Sequence, residues 1–453
     1  MTPDAVGGER PNCDSVLPGE EGWDEARRPW NLAADQHPAA VAHPQTADDV
    51  IAAVRFARER GLRVAAQCTG HAAAELDTLA DALLVRTAHL RELEIDPAAR
   101  RARVGAGLSW GEVAVAAAAH GLAGPAGSSG TVGVVGYTLG GGNGWLGRRH
   151  GLACNGVHAV ELVTADGQLR RVDADDPELF WALRGGGGNF GVVTAIEFAL
   201  HPVLEVEAGF LLWPVERAPE VLPAWWGLTA GLPEEVSTIG RILNLPPLEE
   251  LPPFLRGREL VVVEVADLRG PGELAGLLAP LRELDPEIDT VAPAPAPALG
   301  KLHMDPEDPV PATFDGGLLS GVTDGVLDAI VALMAPGSGS PLLSIELRQL
   351  GGALARPPAG AGAISHLDAE GLFFGVGISP GPEAVAAVRA GLEEMNDALA
   401  PWTSSRSLPN FAGRRRDPRD FYGDAGAERL AAARAAVDPD GMFQAPQPVG
   451  VTA

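Results

Sequence analysis

The chain has 453 residues, 46% of them hydrophobic, and a formal net charge of −26. That length suits two or three domains with sizeable cores, and the acidic balance excludes a nucleic-acid binder, which needs a positive footprint. No membrane partner is expected, because the longest apolar run, from Val113, is broken by His120, Gly121 and Pro125 before it reaches the ~18 residues of a span.

In chain order, Thr46 and Asp49 form a capping box ahead of Val50, Ile51, Val54 and Ala57, which share one helical face that Gly61 closes. A short strand, "LRVAAQ" (62–67), runs into "CTGH" at 68–71. Ser109 and Glu112 cap a second helix that ends near Gly121. "HAVELVTADGQLRRV" reads as a hairpin turning at Asp166-Gly167. Asp176-Pro177 opens another helix, and "NFGVVTAIEFAL" returns as a strand. Beyond His201-Pro202 come longer strands, "ELVVVEVADL" and "SPLLSIELRQL", with helical segments "ELAGLLAPLRELD" and "PEAVAAVRAGLEEMNDAL". This is a second α+β domain. "VAPAPAPALG" (291–300) reads as a polyproline surface loop, and Arg414–Arg416 as a solvated charge run. The last fifty residues are too few to fold alone and must dock on a larger domain.

Glycine is the informative residue. "GSSGTVGVVGYTLGGGNGWLG" (127–147) carries nine glycines in twenty-one positions among Val, Leu and Trp. With "CTGH" and "RGGGGNFG" (184–191) it makes three glycine-bearing loops in one domain. Their backbone N–H groups can bind a diphosphate without side-chain charge, and salt screens the repulsion of the acidic chain beyond about 8 Å. The site is not a Rossmann one: "GAGLSWG" lacks the third glycine at its step, and "GGGGNFG" precedes a strand instead of opening a helix. The chain contains a single lysine, Lys301, which argues against Schiff-base chemistry. Cys13, Cys68 and Cys154 show neither metal nor disulfide spacing, and no metal cluster is visible. The polar, acidic start lacks the pattern of an export signal. A reduced cytoplasm is the expected location.

"TGH", "ALLVRTAHLRELEID", "TVGVVGYTLGGGNGWLGRRHGLACN", "VELVTADGQ", "LFWALRGGGGNFGVV" and the closing "PNF…VDPDGMF" resemble the FAD-binding domain of the vanillyl-alcohol oxidase superfamily, and more narrowly its berberine-bridge-enzyme-like bacterial oxidases. The resemblance implies an α+β fold with a two-part FAD-binding domain (1–203), a substrate-binding domain (204–400) whose antiparallel sheet is flanked by helices, and a C-terminal segment (401–453) that docks back. It implies FAD bonded covalently through His71. Gln67, Cys68, Thr69 and Gly70 match the pyrophosphate loop. Gly140, Gly141, Gly142 and Gly144 match the stretch along the ribityl and diphosphate, and Gly191, Val192 and Val193 the strand beside the adenine. Thr131, Gly133, Gly136 and Tyr137 fall in the same cofactor stretch, and Asn410 is retained from the closing segment. Ser129 stands where doubly linked members carry a cysteine, so one covalent bond is expected. Val132 matches a position where a small residue admits oxygen.

The chain departs from the family at Leu408, where a tyrosine often serves as base two residues before the asparagine. Neither tyrosine of the chain, Tyr137 or Tyr422, matches it. In "LLSIELRQL" the period of two puts Ser344, Glu346 and Arg348 on one face, opposite Leu343, Ile345 and Leu347. Because this sheet roofs the flavin in the family that the chain resembles, Glu346 is the expected base, its pKa raised by burial, with Arg348 an anion or carbonyl anchor; a solvated ion pair is the alternative. His303 and His366 are further candidates, although a lone histidine is more often structural. The expected function is an FAD-dependent oxidase passing a hydride from a small organic, secondary-metabolite-like substrate to flavin and then to molecular oxygen. The missing tyrosine leaves a flavoprotein cyclase or lyase as the rival, and a non-catalytic flavin-binding protein as a third reading.

Overall fold

The computed structural model describes residues 9–76, 78–249 and 252–450. Two five-stranded sheets build the first part of the chain. In one, the strands Ala40–Ala42, Ala82–Arg86, Arg63–Gln67 and Phe443–Gln444 run parallel, and Ser15–Val16 pairs antiparallel at the edge. The closing residues thus complete a sheet begun four hundred positions earlier, as a segment too short to fold alone must. In the other, Leu93–Asp96, Arg101–Gly105, Val192–Ala199, Val157–Val163 and Leu169–Val172 are all antiparallel.

The capped helices form as their signals dictate. Ala47–Glu59 starts at a capping box of Thr46 and Asp49 and buries Val50, Ala53, Val54 and Ala57. Trp110–Ala118 starts at the matching box of Ser109 and Glu112. Pro177–Leu183 begins beneath an Asp176 side chain that accepts from the Leu179 N–H.

From Glu205 onward an eight-stranded antiparallel sheet takes over, its central strands Glu259–Asp267, Val236–Asn244, Ser344–Gln349 and Gly371–Ile378. One face packs on the helices Ala218–Thr229, Asp324–Leu333 and Pro382–Leu399 through Val261, Val263, Ile345, Leu347, Trp225, Ile330 and Met395. The opposite face is buried too, against the first part of the chain. All six residues of Ser344–Gln349 are buried. Arg148, from the end of the glycine-rich stretch, donates to the Val236 carbonyl at 2.7 Å and to that of Leu350, and Ser237 Oγ donates to the Trp145 carbonyl at 2.9 Å. These bonds fasten the glycine stretch to the sheet.

Three expectations change. Ala292–Pro295 is an edge strand paired with Glu205–Pro214, not a free polyproline loop; its alternate positions 293 and 295 are proline, which only an edge tolerates. Arg416 is not solvated: it donates to Asp315 at 2.6 Å and to the Gly316 carbonyl at 2.7 Å. "ELAGLLAPLRELD" forms two short helical turns instead of one helix, with Pro280 at the start of the second. No described helix is long and apolar enough to cross a membrane.

Candidate active site

The strand Arg63–Gln67 delivers its last residue, Gln67, into the interior, where both atoms of its amide lack a hydrogen-bond partner. Such orphaned buried groups cost about 1–3 kcal/mol each, so this amide is placed for a group the chain does not supply. Gly70 follows with φ +88°, where a side chain would also strike Pro29. The loop meets the glycine stretch directly: a Cβ on Gly133 would touch Cys68 Sγ at 3.3 Å. Within that stretch Val134–Leu139 is a short helix. Gly136 is exposed inside it, and a Cβ there would meet nothing within 4 Å. Glycine in a helix costs roughly 1 kcal/mol against alanine, and the protein gives no steric reason for it. A group lying along the helix does.

The other glycines answer to the protein itself. A Cβ on Gly140 would sit 2.7 Å from Asn410 Nδ2, and one on Gly141 (φ +112°) 2.8 Å from Leu408 Cδ1. At Gly142 (φ +77°) it would meet Ala153 and Tyr137, and at Gly144 the Ala126 carbonyl. Asn410 Oδ1 accepts from the Gly142 N–H at 2.8 Å and its Nδ2 donates to the Tyr137 carbonyl at 3.1 Å. Gly140 and Gly141 are therefore required by the returning C-terminal segment, and Gly142 and Gly144 by Ala153, Tyr137 and Ala126, so the protein itself supplies a steric reason for these four glycines. The Val192 and Val193 side chains likewise lie in hydrophobic cores, with the preceding Gly191 pressed on the Val163 carbonyl. Leu408 is 1% exposed in a core with Leu318, Ile364 and Leu372. It is a packing residue.

His71 stacks on Trp30 with ring centroids 3.9 Å apart. Its Nε2 is 3.1 Å from Thr131 Oγ1, which lies 3.0 Å from Ser129 Oγ. Burial pushes the imidazole down to about 4, so it is neutral and nucleophilic at pH 7. Val132, the neighbour of Thr131 in the chain, is half-buried. The buried Tyr137 hydroxyl has no partner, and burial raises its pKa.

Across from this corner the sheet presents a buried charge network. Register puts Arg241 directly opposite Glu346, and Ile239 opposite both Arg348 and, on its other side, Glu264. Glu346 Oε1 accepts from Arg348 Nε at 2.7 Å, and its Oε2 lies 2.8 Å from His303 Nε2. His303 Nδ1 lies 2.6 Å from Glu264, which pairs with Arg241 at 2.6 Å. Arg348 also donates to Ser128 Oγ at 3.1 Å and sits 5.0 Å from the Phe411 ring centroid. With Asn143, Trp145 and Ile239 it lines a cavity between sheet and glycine stretch.

The electrostatics correct the expected base. Burial would raise the Glu346 carboxyl, but Arg348 and His303 outweigh it and hold the group below the usual carboxylate range. Burial and Arg241 push His303 down, and Glu264, Glu346 and Asp305 overcome them, leaving it at about 9. Glu346 is a fixed anion between two cations, neither a free base nor a solvated pair. His366 stands apart, 2.7 Å from Ser365 Oγ. Glu264 and Arg241 escaped the sequence reading; an acidic residue within "ELVVVEVADL" and a basic one within "STIGRILN", each inside an apolar strand, were the available signals.

Residues 38–173 match the FAD binding domain family. The chain carries an FAD-binding domain over that stretch and is an FAD-dependent oxidoreductase. It is 28% identical to an (R)-6-hydroxynicotine oxidase of Paenarthrobacter nicotinovorans, over 95% of this chain and 94% of that one. It is 32% identical to a xylooligosaccharide oxidase of Thermothelomyces thermophilus over 48% and 45% of the two chains. Among solved structures, a berberine-bridge-enzyme-like protein of Physcomitrella patens superposes with a TM-score of 0.84 at 21% identity, covering 100% of both chains. The enzyme therefore shares the two-part architecture expected from its motifs, and its cofactor is FAD. The residues present fit that group: an orphaned Gln67 amide, a helical glycine with open space before it, and a neutral histidine at the same corner.

Proposed function

We propose that the enzyme is an oxidase of small amines, with FAD bonded covalently to His71 and molecular oxygen as the final electron acceptor. Bound FAD supplies the two-electron chemistry, accepting a hydride from substrate carbon. Thr131 engages His71 Nε2, so Nδ1 is the nitrogen left for the covalent bond. Gln67 to Gly70 and the Gly133–Gly136 turn would hold the diphosphate and ribityl chain, and Ser129 leaves the link single. Arg348, fixed by Glu346 and Ser128, would face the reacting region as a permanent positive charge and stabilise negative charge arriving there.

The observation that carries the substrate class is the locked Glu346. An alcohol needs a base for its O–H proton as hydride leaves, and the two groups nominated for that work are a held anion and, at 408, a leucine in a core. A neutral amine can release hydride from its α-carbon without that proton transfer. The relative matched over nearly its whole length is named for an alkaloid amine, and the half-length relative for a sugar. Val132 supports the oxidase reading. One structural neighbour, the pollen protein Phl p 4, is described as a glucose dehydrogenase, and as a glucose oxidase when an isoleucine becomes valine. The three free cysteines accord with a reduced, cytoplasmic location. The test is peroxide release over matched panels of amines and alcohols: turnover of amines alone supports the proposal, and turnover of alcohols alone refutes it. Isomerisation without oxygen uptake would favour the cyclase or lyase reading that Leu408 keeps open.

A further inference from the structure

A second cavity of about 190 Å³ lies between the segment following Trp30, the turn after His71, the strand Ala312–Leu319 and the helix Pro382–Leu399. Its apolar lining comes from Ala33, Ala73, Leu76, Phe314 and Val385, and Asp35, Gln36, Glu75, Thr78, Thr313 and Arg389 line it with polar groups. Two of these are buried with side-chain atoms left unmatched. Gln36 is 2% exposed, and neither its Oε1 nor its Nε2 has a partner. Glu75 is 8% exposed, and its Oε2 has none either. At the rim Arg389 is exposed and makes no hydrogen bond or ion pair among the described residues. Polar groups converging on one enclosed space beside apolar surface are what fixes a ligand's orientation in a site.

This cavity is not the Arg348 chamber. The rings of Phe314, Phe374 and Phe411 form a contiguous row, 5.4 and 5.6 Å apart, and Arg348 sits beyond the last of them. Gln36 and Glu75 also lie outside the Gln67–Gly70 loop and the Gly133–Gly136 turn. Leaving three buried polar atoms unmatched would cost several kcal/mol, a cost that a ligand removes.

We infer that this cavity binds a small amino-carboxylate, with the ammonium held by Glu75 and Gln36 and the carboxylate held by Arg389 at the rim. Two buried acceptor oxygens suit an ammonium, and burial together with nearby Asp315, which raise the Glu75 carboxyl to about 7, makes an added positive charge welcome. The unpaired guanidinium at the mouth suits the other end. An uncharged alcohol answers neither charge.

The inference stands apart from the proposed amine oxidation, so its test reads binding and not turnover. Purified flavoprotein would be titrated calorimetrically with β-alanine, propylamine and propionate. The expected result is saturable binding of β-alanine, at least tenfold tighter than either one-ended compound. Glu75→Gln should weaken it about tenfold or more, and the exposed Arg389→Ala should bring β-alanine down to the level of propylamine. Flavin absorbance should stay unchanged in both variants. Ala74→Phe, which fills the mouth without removing a polar group, should abolish binding even if Glu75→Gln misfolds. No saturable binding, equal binding of propylamine and β-alanine, or indifference to Ala74→Phe would each overturn the inference, leaving a cavity filled by water.

Discussion

Replacing His303 by glutamine removes the cation that joins Glu264 to Glu346 while keeping a hydrogen-bonding side chain of similar reach. The imidazole rises from 6.5 to about 9 in the folded chain, which at ~1.4 kcal/mol per tenfold change in proton affinity corresponds to about 3 kcal/mol. The sign follows from the direction. A group whose folded pKa is raised contributes fully below its unfolded value near 6.5, and that contribution is lost as pH climbs through about 9. Unfolding entropy of roughly 2.1 cal/mol/K per residue gives about 1 kcal/mol/K for a chain of 453 residues. The native protein should therefore lose about 3 °C of Tm from this group between pH 6.5 and 9.5. Scanning calorimetry of both proteins across that range reads the effect as a difference in slope, which cancels contributions from other titrating groups. His303→Gln should be less stable at pH 6.5 and converge on the native protein at high pH. Parallel curves would mean that His303 is neutral in the fold and that the network is not built around an imidazolium.

Arg348→Met should slow flavin reduction by substrate about 10²–10³-fold, the range for losing one preorganised charge in a water-excluded site, with FAD content unchanged in the absorbance spectrum. Val132→Leu should slow reoxidation by oxygen in stopped flow while leaving reduction by substrate within about twofold; slowing of both steps would argue against an oxygen path at that corner. Leu408→Tyr should not awaken alcohol oxidation. Its side chain is enclosed by Leu318, Ile364 and Leu372, so the larger ring should destabilise by about 1–3 kcal/mol in a denaturant titration.

The first part of the chain was legible because its signals are local. Thr46 with Asp49, Ser109 with Glu112, and Asp176 with the Leu179 N–H each cap a helix by contacts three residues apart. The alternation in "LLSIELRQL" correctly separated Ile345 and Leu347, which pack on helices, from Glu346 and Arg348 on the other face. What could not be read was the company those charges keep. Glu346 meets Arg241 only through strand register, and His303 arrives from a loop forty-three positions earlier. Burial alone predicts a raised carboxyl pKa; Arg348 on the same strand and His303 from a distant loop together reverse the sign. The protein contacts at the glycine run were hidden for the same reason, since Leu408 and Asn410, which fill the space at Gly140 and Gly141, come from the far end of the chain.

The central claim is a flavoprotein whose FAD is bonded to His71, and acid precipitation tests it most directly. Protein purified from cells, precipitated with trichloroacetic acid and washed, should carry its yellow colour and 450 nm absorbance into the pellet. His71→Ala should release that flavin into the supernatant, and proteolysis of the native protein should place the flavin mass on the peptide containing His71. Free FAD in the supernatant of the native protein, or flavin still attached in His71→Ala, would contradict the account.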